Sequence, residues 1–374
     1  MTVGSLAVLG LGADLPSAVD VRELVRARGG DTSKYQGWQR ACHGSPDDHP
    51  SIMGERALRR ALAQSGVPAS DLRLVISCGA SRDYPAPWSM STEIMRLCGV
   101  GEFAVGLDLM AGCLATLGAI DLADGWLSSH GGGYAAVVAA ERWTQTVDYT
   151  DMADMPLWAY GDSAGALVLG LGTSEPAKLS FAGAEFCNAS RNNGHVFIPY
   201  GGTRAPHPEP GVSPYARKLS SRPRSEVAKG YVAGYVHSFE RLKKRLDLQP
   251  THLICNQITP KMVGVIGGAL GLEGGMTITG HQTGHLGGPD IIVGMIAFLG
   301  SGAGDQTILV GASSAYAFGT ALMIAPRSFT DARERVSRNA WLGVSSFHPL
   351  APGASAGLPS SAPAISARTC PASL

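Results

Sequence analysis

DLMAGCLATLGA, residues 108–119, joins the end of one apolar run to the start of another. The run from Phe103 to Asp108 is typical of a strand, and the run from Leu114 to Leu127 is apolar nearly all round, as in a helix buried on most sides. Small residues fill the turn between the two runs. Cys113 therefore stands where a buried strand turns into a buried helix.

A thiol in this position is a candidate nucleophile. The first turn of a helix offers unpaired backbone N–H groups and a partial positive charge, which favour thiolate and can receive the oxyanion of a tetrahedral intermediate. Free cysteines are also common as small buried hydrophobes without chemistry. On position alone, both interpretations of Cys113 remain open.

Two further segments follow Cys113 at a recognisable spacing. Residues 161–169 read GDSAGALVL, and residues 318–322 read FGTAL. Together with the cysteine turn, these segments resemble the 3-oxoacyl-acyl-carrier-protein synthase III family of the thiolase superfamily, which has a Gly-Asp turn before one strand and a closing strand near its end. The resemblance runs from about Ser5 to Pro326 and favours the nucleophile over the structural cysteine.

The resemblance implies an α/β fold, a thiolase-like five-layered αβαβα architecture with two pseudo-equivalent halves. Residues 1–172 would form the half that carries the nucleophile, and residues 173–328 the half that carries Asn256 and His285. In this architecture the active site lies where the two central helices begin, so all three side chains would meet there. Residues 329–374, rich in Pro, Ala, Ser and Gly beyond about Pro349, are expected to be a disordered tail.

Periodicity supports two such halves. The predicted strands cover residues 6–11, 72–77, 103–108, 134–140, 164–170, 178–184, 252–255, 306–311 and 314–324. The predicted helices cover residues 52–65, 89–97, 114–129, 226–246 and 260–270, with one more after Pro289.

Departures from the family concern the residues that assist the nucleophile. Condensing members use a His in a Pro-His-Gln-Ala-Asn segment and an Asn in a Gly-Asn-Thr-Ser segment. Here residues 254–260 read ICNQITP and residues 284–290 read GHLGGPD. Asn256 thus stands at the histidine position and His285 at the asparagine position, so the two residue types are exchanged.

A single imidazole beside a thiol still forms a Cys–His pair that can activate the nucleophile and later act as general base on an acceptor. By resemblance, Asn256 would orient His285 or polarise the acyl carbonyl. The backbone N–H groups of Cys113 and Ser314 would form the oxyanion hole. Asp290, five residues after His285, could orient the imidazole, but its place early in a helix favours a simpler effect on the helix dipole.

Three functions are compatible with these residues. The preferred one is an acyltransferase of natural-product biosynthesis, which moves an acyl group from a carrier-protein or CoA thioester through S-acyl Cys113 to an oxygen, nitrogen or sulfur acceptor. The second is decarboxylative condensation that primes a polyketide or fatty-acid chain. The third is a non-catalytic partner of a synthase or carrier protein. Formation of an acyl-enzyme would separate the third from the others, and release of carbon dioxide from malonyl would identify the second.

Composition limits the alternatives. The chain has 374 residues, 45% hydrophobic and 16% charged, with a formal net charge of zero, which gives no indication of nucleic-acid binding. No apolar run reaches the roughly 18 residues that span a bilayer, so we expect no membrane segment and a cytoplasmic protein. Seven scattered cysteines favour reduced thiols, and the histidine spacing favours no metal site. No tightly bound cofactor is expected.

Residues 188–224 are rich in Gly, Pro, Ser and Arg and are predicted to form a loop over the active-site entrance. Basic residues toward its end could bind the phosphate of phosphopantetheine or an acidic carrier protein, although ordinary solvated charge explains them equally well. They are Arg191, Arg204, Arg217, Lys218, Arg222, Arg224 and Lys229. By resemblance we expect a homodimer, with the apolar stretch from Pro87 to Val105 at its interface.

Overall fold

A computed structural model describes residues 5–212, 218–219, 224–303 and 306–326. The main helices are α1 (Val21–Ala27), α2 (Pro50–Ser65), α3 (Met90–Cys98), α4 (Ala115–Ser129), α5 (Arg224–Leu246), α6 (Pro260–Leu270), α7 (Gly280–Thr283) and α8 (Pro289–Gly300). The predicted tail, residues 329–374, lies outside the described residues, and the boundary predicted at residue 172 stays a prediction.

The strands follow in chain order. They are β1 (Leu6–Asp14), β2 (Ala18–Asp20), β3 (Arg40–Cys42), β4 (Leu72–Gly79), β5 (Val105–Met110), β6 (Gly133–Glu141), β7 (Ser163–Leu171), β8 (Leu179–Asn188), β9 (Val196–Phe197), β10 (Lys218–Leu219), β11 (His252–Cys255), β12 (Met276–Thr277), β13 (Gln306–Ser313) and β14 (Ala317–Ala325).

Ten of these strands form one mixed sheet in the order β12-β11-β13-β14-β8-β1-β7-β6-β4-β5. Divided between β8 and β1, the sheet consists of two sets of five strands that repeat the same order and directions. Counted along the chain, the first strand of each set pairs antiparallel with the fifth, and the fifth pairs antiparallel with the fourth. The remaining pairs in each set are parallel. The antiparallel β1–β8 pair joins the two sets edge to edge.

Helices cover the sheet in layers. α4 and α8 each contact strands of both sets, so they lie between the two sets and share one apolar core with them. α2 and α3 pack on the outer face of the first set, and α5 and α6 on the outer face of the second. The resulting αβαβα arrangement confirms the predicted fold class.

Local sequence explains where the site-bearing elements begin and end. β7 is buried along its whole length, and its glycines and alanines allow α8 to approach closely: a Cβ at Gly165 would lie 3.0 Å from Cβ of Ile292. α8 starts with Pro289 and is buried over nearly all of its length. α8 is thus packed tightly against β7 just after the segment that carries His285.

Each predicted strand and helix has an observed counterpart, with ends that differ by a few residues. The sequence prediction missed the short elements β2, β3, β9, β10, β12, α1 and α7 because two- to seven-residue elements carry too little periodicity. Two of them matter for the site: β3 packs beside α7, and α7 leads directly into the segment that carries His285.

Candidate active site

Cys113 occupies a tight turn between β5 and α4. Gly112–Leu114 form a single 3-10 turn that runs into α4, and Gly112 has φ +56°, a left-handed conformation that favours glycine. The turn lies against the β13–β14 hairpin, because a Cβ at Gly112 would be 3.3 Å from Cβ of Ser314. Cys113 itself is half-buried, so its sulfur is both fixed and reachable.

His285 lies in the short connection between α7 and α8. Its backbone N–H donates to the carbonyl of Ala159 at 2.8 Å, and its own carbonyl accepts from the N–H of Gly161 at 2.9 Å. Gly284, just before it, has φ +73°, and a Cβ there would collide with the Ala159 carbonyl. The His285 backbone is therefore held by hydrogen bonds to Ala159 and to Gly161, the first residue of the Gly-Asp turn.

The structure brings the Cys113 and His285 side chains together. Sγ of Cys113 lies 3.5 Å from Nε2 of His285, within hydrogen-bond distance for sulfur. The opposite ring nitrogen, Nδ1, lies 2.5 Å from Oδ2 of Asp290. Cys113, His285 and Asp290 thus form a continuous chain of nucleophile, imidazole and carboxylate, the arrangement of a catalytic triad.

Asp290 lies in the first turn of α8, as the dipole interpretation requires, but it also contacts the imidazole, so that interpretation alone is insufficient. Its carboxylate is fully buried and accepts from the His285 ring and from the backbone N–H groups of Leu286 at 2.9 Å and Gln257 at 2.8 Å. Because α8 begins at Pro289, the carboxylate turns back from the first helical turn toward the preceding segment. Asp290 therefore fixes the orientation of the imidazole.

Electrostatics favour a charged imidazole. Burial by itself lowers the pKa of His285, but the charges of Asp290 and then Cys113 outweigh burial, and the pKa stands well above its ordinary value. The Tyr160 ring packs edge-on against the imidazole, with ring centroids 4.5 Å apart. This environment suits an imidazolium held between a carboxylate and the sulfur of Cys113.

The Asn256 side chain connects two backbone segments by hydrogen bonds. Its Nδ2 donates to the carbonyl of Gly287 at 2.9 Å, and its Oδ1 accepts from the N–H of Ser313 at 2.8 Å. Both partners fix which way the amide points, since a carbonyl requires a donor and an N–H requires an acceptor. The fully buried Asn256 therefore holds the segment after His285 against the end of β13.

The predicted oxyanion donor Ser314 does not fit this geometry. Its backbone N–H donates to the carbonyl of Ala317 at 2.8 Å, which closes the turn between β13 and β14. That N–H is already used within the turn, so the second donor of the oxyanion hole has to come from elsewhere. The N–H of Cys113 lies in the 3-10 turn that leads into α4, and its role as an oxyanion donor stays a prediction.

Three tyrosines that interact with His285 or Cys113 were not found from the sequence. Tyr160 packs on His285, Tyr231 belongs to α5, and Tyr316 lies in the β13–β14 turn. Burial raises the pKa of both Tyr231 and Tyr316, and the charge of Cys113 raises each further. No sequence signal marks them, because they come from three separate segments.

The described part of the chain also bears on the cysteines, on metal sites, on membrane spans and on the basic residues near the entrance. Its six cysteines are all free, and no group of three or more His, Cys, Asp or Glu residues there could hold a metal ion. No described helix has the length and apolar character of a membrane span. Of the basic residues predicted near the entrance, Arg217 and Arg222 lie outside the described residues.

Sequence comparisons show that part of the chain is similar to known synthases. Residues 107–186 match the family 3-oxoacyl-[acyl-carrier-protein (ACP)] synthase III. The β-ketoacyl-[acyl-carrier-protein] synthase III of Caulobacter vibrioides is 33% identical over 173 residues, which are 45% of this chain and 52% of the relative. That of Pectobacterium atrosepticum is 28% identical over 166 residues, 43% of this chain and 51% of the relative. The chain therefore matches about half the length of these relatives.

Solved structures extend the likeness to nearly the whole described fold. The priming β-ketosynthase of the R1128 polyketide pathway superposes with a TM-score of 0.76 at 20% identity, covering 87% of this chain and 98% of that one. OleA of Xanthomonas campestris, solved with lauric acid and lauroyl-CoA, gives 0.72 at 16% identity, covering 86% and 99%. At this identity the likeness concerns the fold, which is that of thiolase-like synthases.

Proposed function

We propose that this thiolase-like relative of the 3-oxoacyl-[acyl-carrier-protein] synthase III family is an acyltransferase that works through an S-acyl Cys113. The observation that carries the proposal is the Cys113–His285–Asp290 chain, with contacts of 3.5 and 2.5 Å. Such a chain supplies a nucleophile, a base and an orienting carboxylate, the three groups that catalyse acyl transfer in triad enzymes.

Acylation starts from the thiolate of Cys113 beside the charged imidazole of His285. The sulfur attacks the carbonyl carbon of an acyl thioester, and the N–H of Cys113 stabilises the developing oxyanion. The C–S bond to the donor then breaks, and His285 gives its proton from Nε2 to the departing thiolate. The products are a free thiol of the donor, S-acyl Cys113 and a neutral imidazole.

Transfer uses that neutral imidazole. Once Cys113 is acylated it carries no negative charge, so one of the causes that raise the pKa of His285 is lost. Nε2 can then take a proton from an alcohol, amine or thiol as it attacks the acyl carbonyl. Asp290 holds Nδ1 throughout and stabilises the imidazolium that forms again. Expulsion of the Cys113 thiolate returns the enzyme to its first state.

Condensation is the second candidate, favoured by the names of the relatives, which are ketoacyl synthases. Decarboxylation of malonyl needs two hydrogen-bond donors on one thioester carbonyl to stabilise the enolate. Here the Asn256 amide donates to Gly287, while Asp290 holds the only imidazole at the described site. One N–H and the oxygen of Asn256 are bonded to the backbone and its side chain is fully buried, which is why we prefer acyl transfer. A non-catalytic role is the third candidate, and the intact Cys113–His285 pair argues against it.

Donor and partner follow from the same proposal. A CoA thioester or a phosphopantetheine thioester on a carrier protein would supply the acyl group, and a small or carrier-bound nucleophile from natural-product biosynthesis would accept it. Neither needs a tightly bound cofactor. We assign the enzyme to the cytoplasm, where CoA thioesters occur and cysteines stay reduced.

The proposal includes a homodimer formed through β5. This strand is at the edge of the ten-stranded sheet and pairs only with β4 among the described strands. Val105, Leu107 and Met110 on it, and Phe103 just before it, are exposed apolar side chains. An unprotected apolar edge strand pairs readily with a second copy. Light scattering of Leu107→Lys, expected to give monomers, tests this part separately.

The experiment that tests the function is acyl-enzyme trapping followed by transfer. The protein is mixed with acyl-CoA and acyl-carrier thioesters, the acyl mass on Cys113 is measured, and acceptors are added to discharge it. Discharge without release of carbon dioxide supports acyl transfer, and carbon dioxide from a malonyl thioester supports condensation.

A further inference from the structure

Gln257 contacts both ends of the segment that carries His285. This segment runs from Gly280, the first residue of α7, to Asp290 in the first turn of α8. The backbone N–H of Gln257 donates to Oδ2 of Asp290 at 2.8 Å. Its side-chain Oε1 accepts from the N–H groups of Thr279 and Gly280, each at 3.2 Å. One residue that is only 1% exposed therefore joins the start of this segment to its end.

The Gln257 amide is held in one orientation. Its Nε2 donates to the carbonyl of Cys255 at 2.8 Å, at the end of β11. A carbonyl requires a donor and an N–H requires an acceptor, so Oε1 is the atom that faces the start of α7. The side chain is thus a fixed link between the central sheet and α7.

Trp38, just before β3, contacts the same two elements. Its indole N–H donates to the carbonyl of Gln257 at 2.6 Å, and the residue is only 6% exposed. The indole ring also lies against α7, because a Cβ on Gly280 would collide with it. The Tyr35 hydroxyl donates to the carbonyl of Trp38 at 2.6 Å and holds its backbone. Trp38 therefore supports Gln257 and α7 together.

We infer that Gln257 and Trp38 are positioning residues that hold the His285–Asp290 pair in the geometry for acyl transfer. The inference rests on the proposed function and adds to it the residues that keep the pair in place. Oδ2 of Asp290 accepts from Gln257 and also lies against the His285 ring. A shift of Gln257 would therefore move the oxygen that orients the imidazole, and a shift of α7 would move the imidazole itself.

A role limited to stability is distinguishable from positioning. Loss of a buried hydrogen bond lowers the free energy of unfolding in either case. Only a changed arrangement of the pair alters how readily Cys113 becomes a thiolate beside the imidazolium. The titratable groups around the pair remain in every variant used below. Among the described residues they are Cys113, Tyr160 and Cys255.

The first measurement is the pH profile of Cys113 alkylation by iodoacetamide, followed by peptide mass. Gln257→Met removes the side-chain hydrogen bonds at similar length, and Trp38→Phe removes the indole N–H but keeps an aromatic ring. We expect both variants to need a pH higher by about one unit for the same alkylation rate, because a looser carboxylate stabilises the imidazolium less.

The matched control is Gln64→Met. Oε1 of Gln64 accepts from the N–H of Leu11 at 2.6 Å, so this variant also removes an amide that bonds to the backbone, but between α2 and β1. Its alkylation profile should match that of wild type.

The second measurement is the rate of Cys113 acylation by acetyl-CoA, butyryl-CoA and malonyl-CoA. At saturating donor, Gln257→Met should be slower by about tenfold to hundredfold, because a displacement of about 1 Å at a reacting group has an effect of this size. The half-saturating donor concentration should change little, since both side chains are buried and bonded within the protein.

The outcomes separate this inference from the proposed function. Wild-type alkylation profiles and acylation rates in both variants, in protein that only melts earlier, would overturn the inference and leave acyl transfer standing. An equal change in Gln64→Met would also overturn it. Trp38→Phe decides alone if Gln257→Met does not fold. If no donor acylates wild type, the proposed function fails, and the alkylation profile still decides whether these residues position His285.

Discussion

The imidazole Nδ1 of His285 lies 2.5 Å from Oδ2 of Asp290, and both side chains are almost completely buried. The carboxylate accepts at that nitrogen, so Nε2 is the atom that exchanges a proton with Cys113. Nδ1 orients the ring and Nε2 exchanges the proton. This division requires a carboxylate that does not move. Asp290 is fixed because two backbone N–H groups also donate to it.

Asp290→Asn should lower the rate of acyl transfer by about 10²- to 10⁴-fold, because an amide can stabilise no imidazolium and can favour the wrong tautomer. Single-turnover transfer from the acyl-enzyme measures this directly. The matched control is Asp124→Asn. Asp124 lies on the central helix α4, eleven positions after Cys113, and this variant should keep the wild-type rate. A wild-type transfer rate in Asp290→Asn would show that the Asp290 carboxylate does not contribute to acyl transfer.

The same variant should reveal the charge on His285 through the pH dependence of stability. The folded-state pKa of His285 is raised, so its stabilising ion pair is fully present below the ordinary histidine value of about 6.5 and is lost as pH rises through the folded value. The loss of unfolding free energy in Asp290→Asn should therefore be largest near pH 6 and shrink at alkaline pH. Denaturant melts of both proteins across this range measure it, and a constant difference would refute a charged imidazole.

Asn256→Ala tests whether this amide acts on structure or on substrate. It would leave the Gly287 carbonyl and the Ser313 N–H unpaired in the core, at a cost of about 1–3 kcal/mol each. Asn188→Ala, at an exposed amide, should stay within about 0.5 kcal/mol of wild type. Denaturant melts and transfer rates are compared. Lost transfer with unchanged stability would instead indicate direct contact of Asn256 with the substrate.

Gly284→Ala should disturb the site through the backbone. Gly284 and Gly66 have φ values of +73° and +74°, but a Cβ on Gly66 meets nothing within 4 Å, whereas on Gly284 it strikes the Ala159 carbonyl. Left-handed strain should cost Gly66→Ala about 1–2 kcal/mol. Gly284 has ψ −161°, a conformation that is essentially confined to glycine, so this strain and the overpacking should together cost Gly284→Ala about 1–3 kcal/mol more than Gly66→Ala. Gly284→Ala should also slow acylation by moving His285. Equal unfolding free energies and equal acylation rates for the two variants would show that the backbone contacts around His285 do not affect the site.

Long elements were predictable because their patterns are strong. The strand 252–255 and the helix 260–270 were predicted at their observed bounds. In the structure the Thr259 side chain caps the start of this helix, and Gly271 ends it in a left-handed conformation. Cys113 and His285 were predicted as site residues on a turn signal and a resemblance, and the structure brings their side chains into contact. Their catalytic roles stay predictions.

The roles that escaped prediction depend on three-dimensional details of short segments. Asp290 was undervalued because a five-residue spacing brings it to His285 only through the bend at Gly287 and Gly288. Ser314 was misassigned because the closure of its own turn uses its N–H. Asn256 bonds to two backbone groups that no sequence pattern marks. The tyrosines converge from three separate elements.

The most direct test of the central claim is the intact mass of wild type, Cys113→Ala and His285→Ala after exposure to acyl-CoA and acyl-carrier thioesters, malonyl donors included. We predict an acyl adduct on wild type, none on Cys113→Ala, and acylation and discharge slowed by about two to four orders of magnitude in His285→Ala. Acceptors should discharge the adduct without carbon dioxide release. Absence of any adduct on folded wild type, or its persistence on Cys113→Ala, would contradict the account.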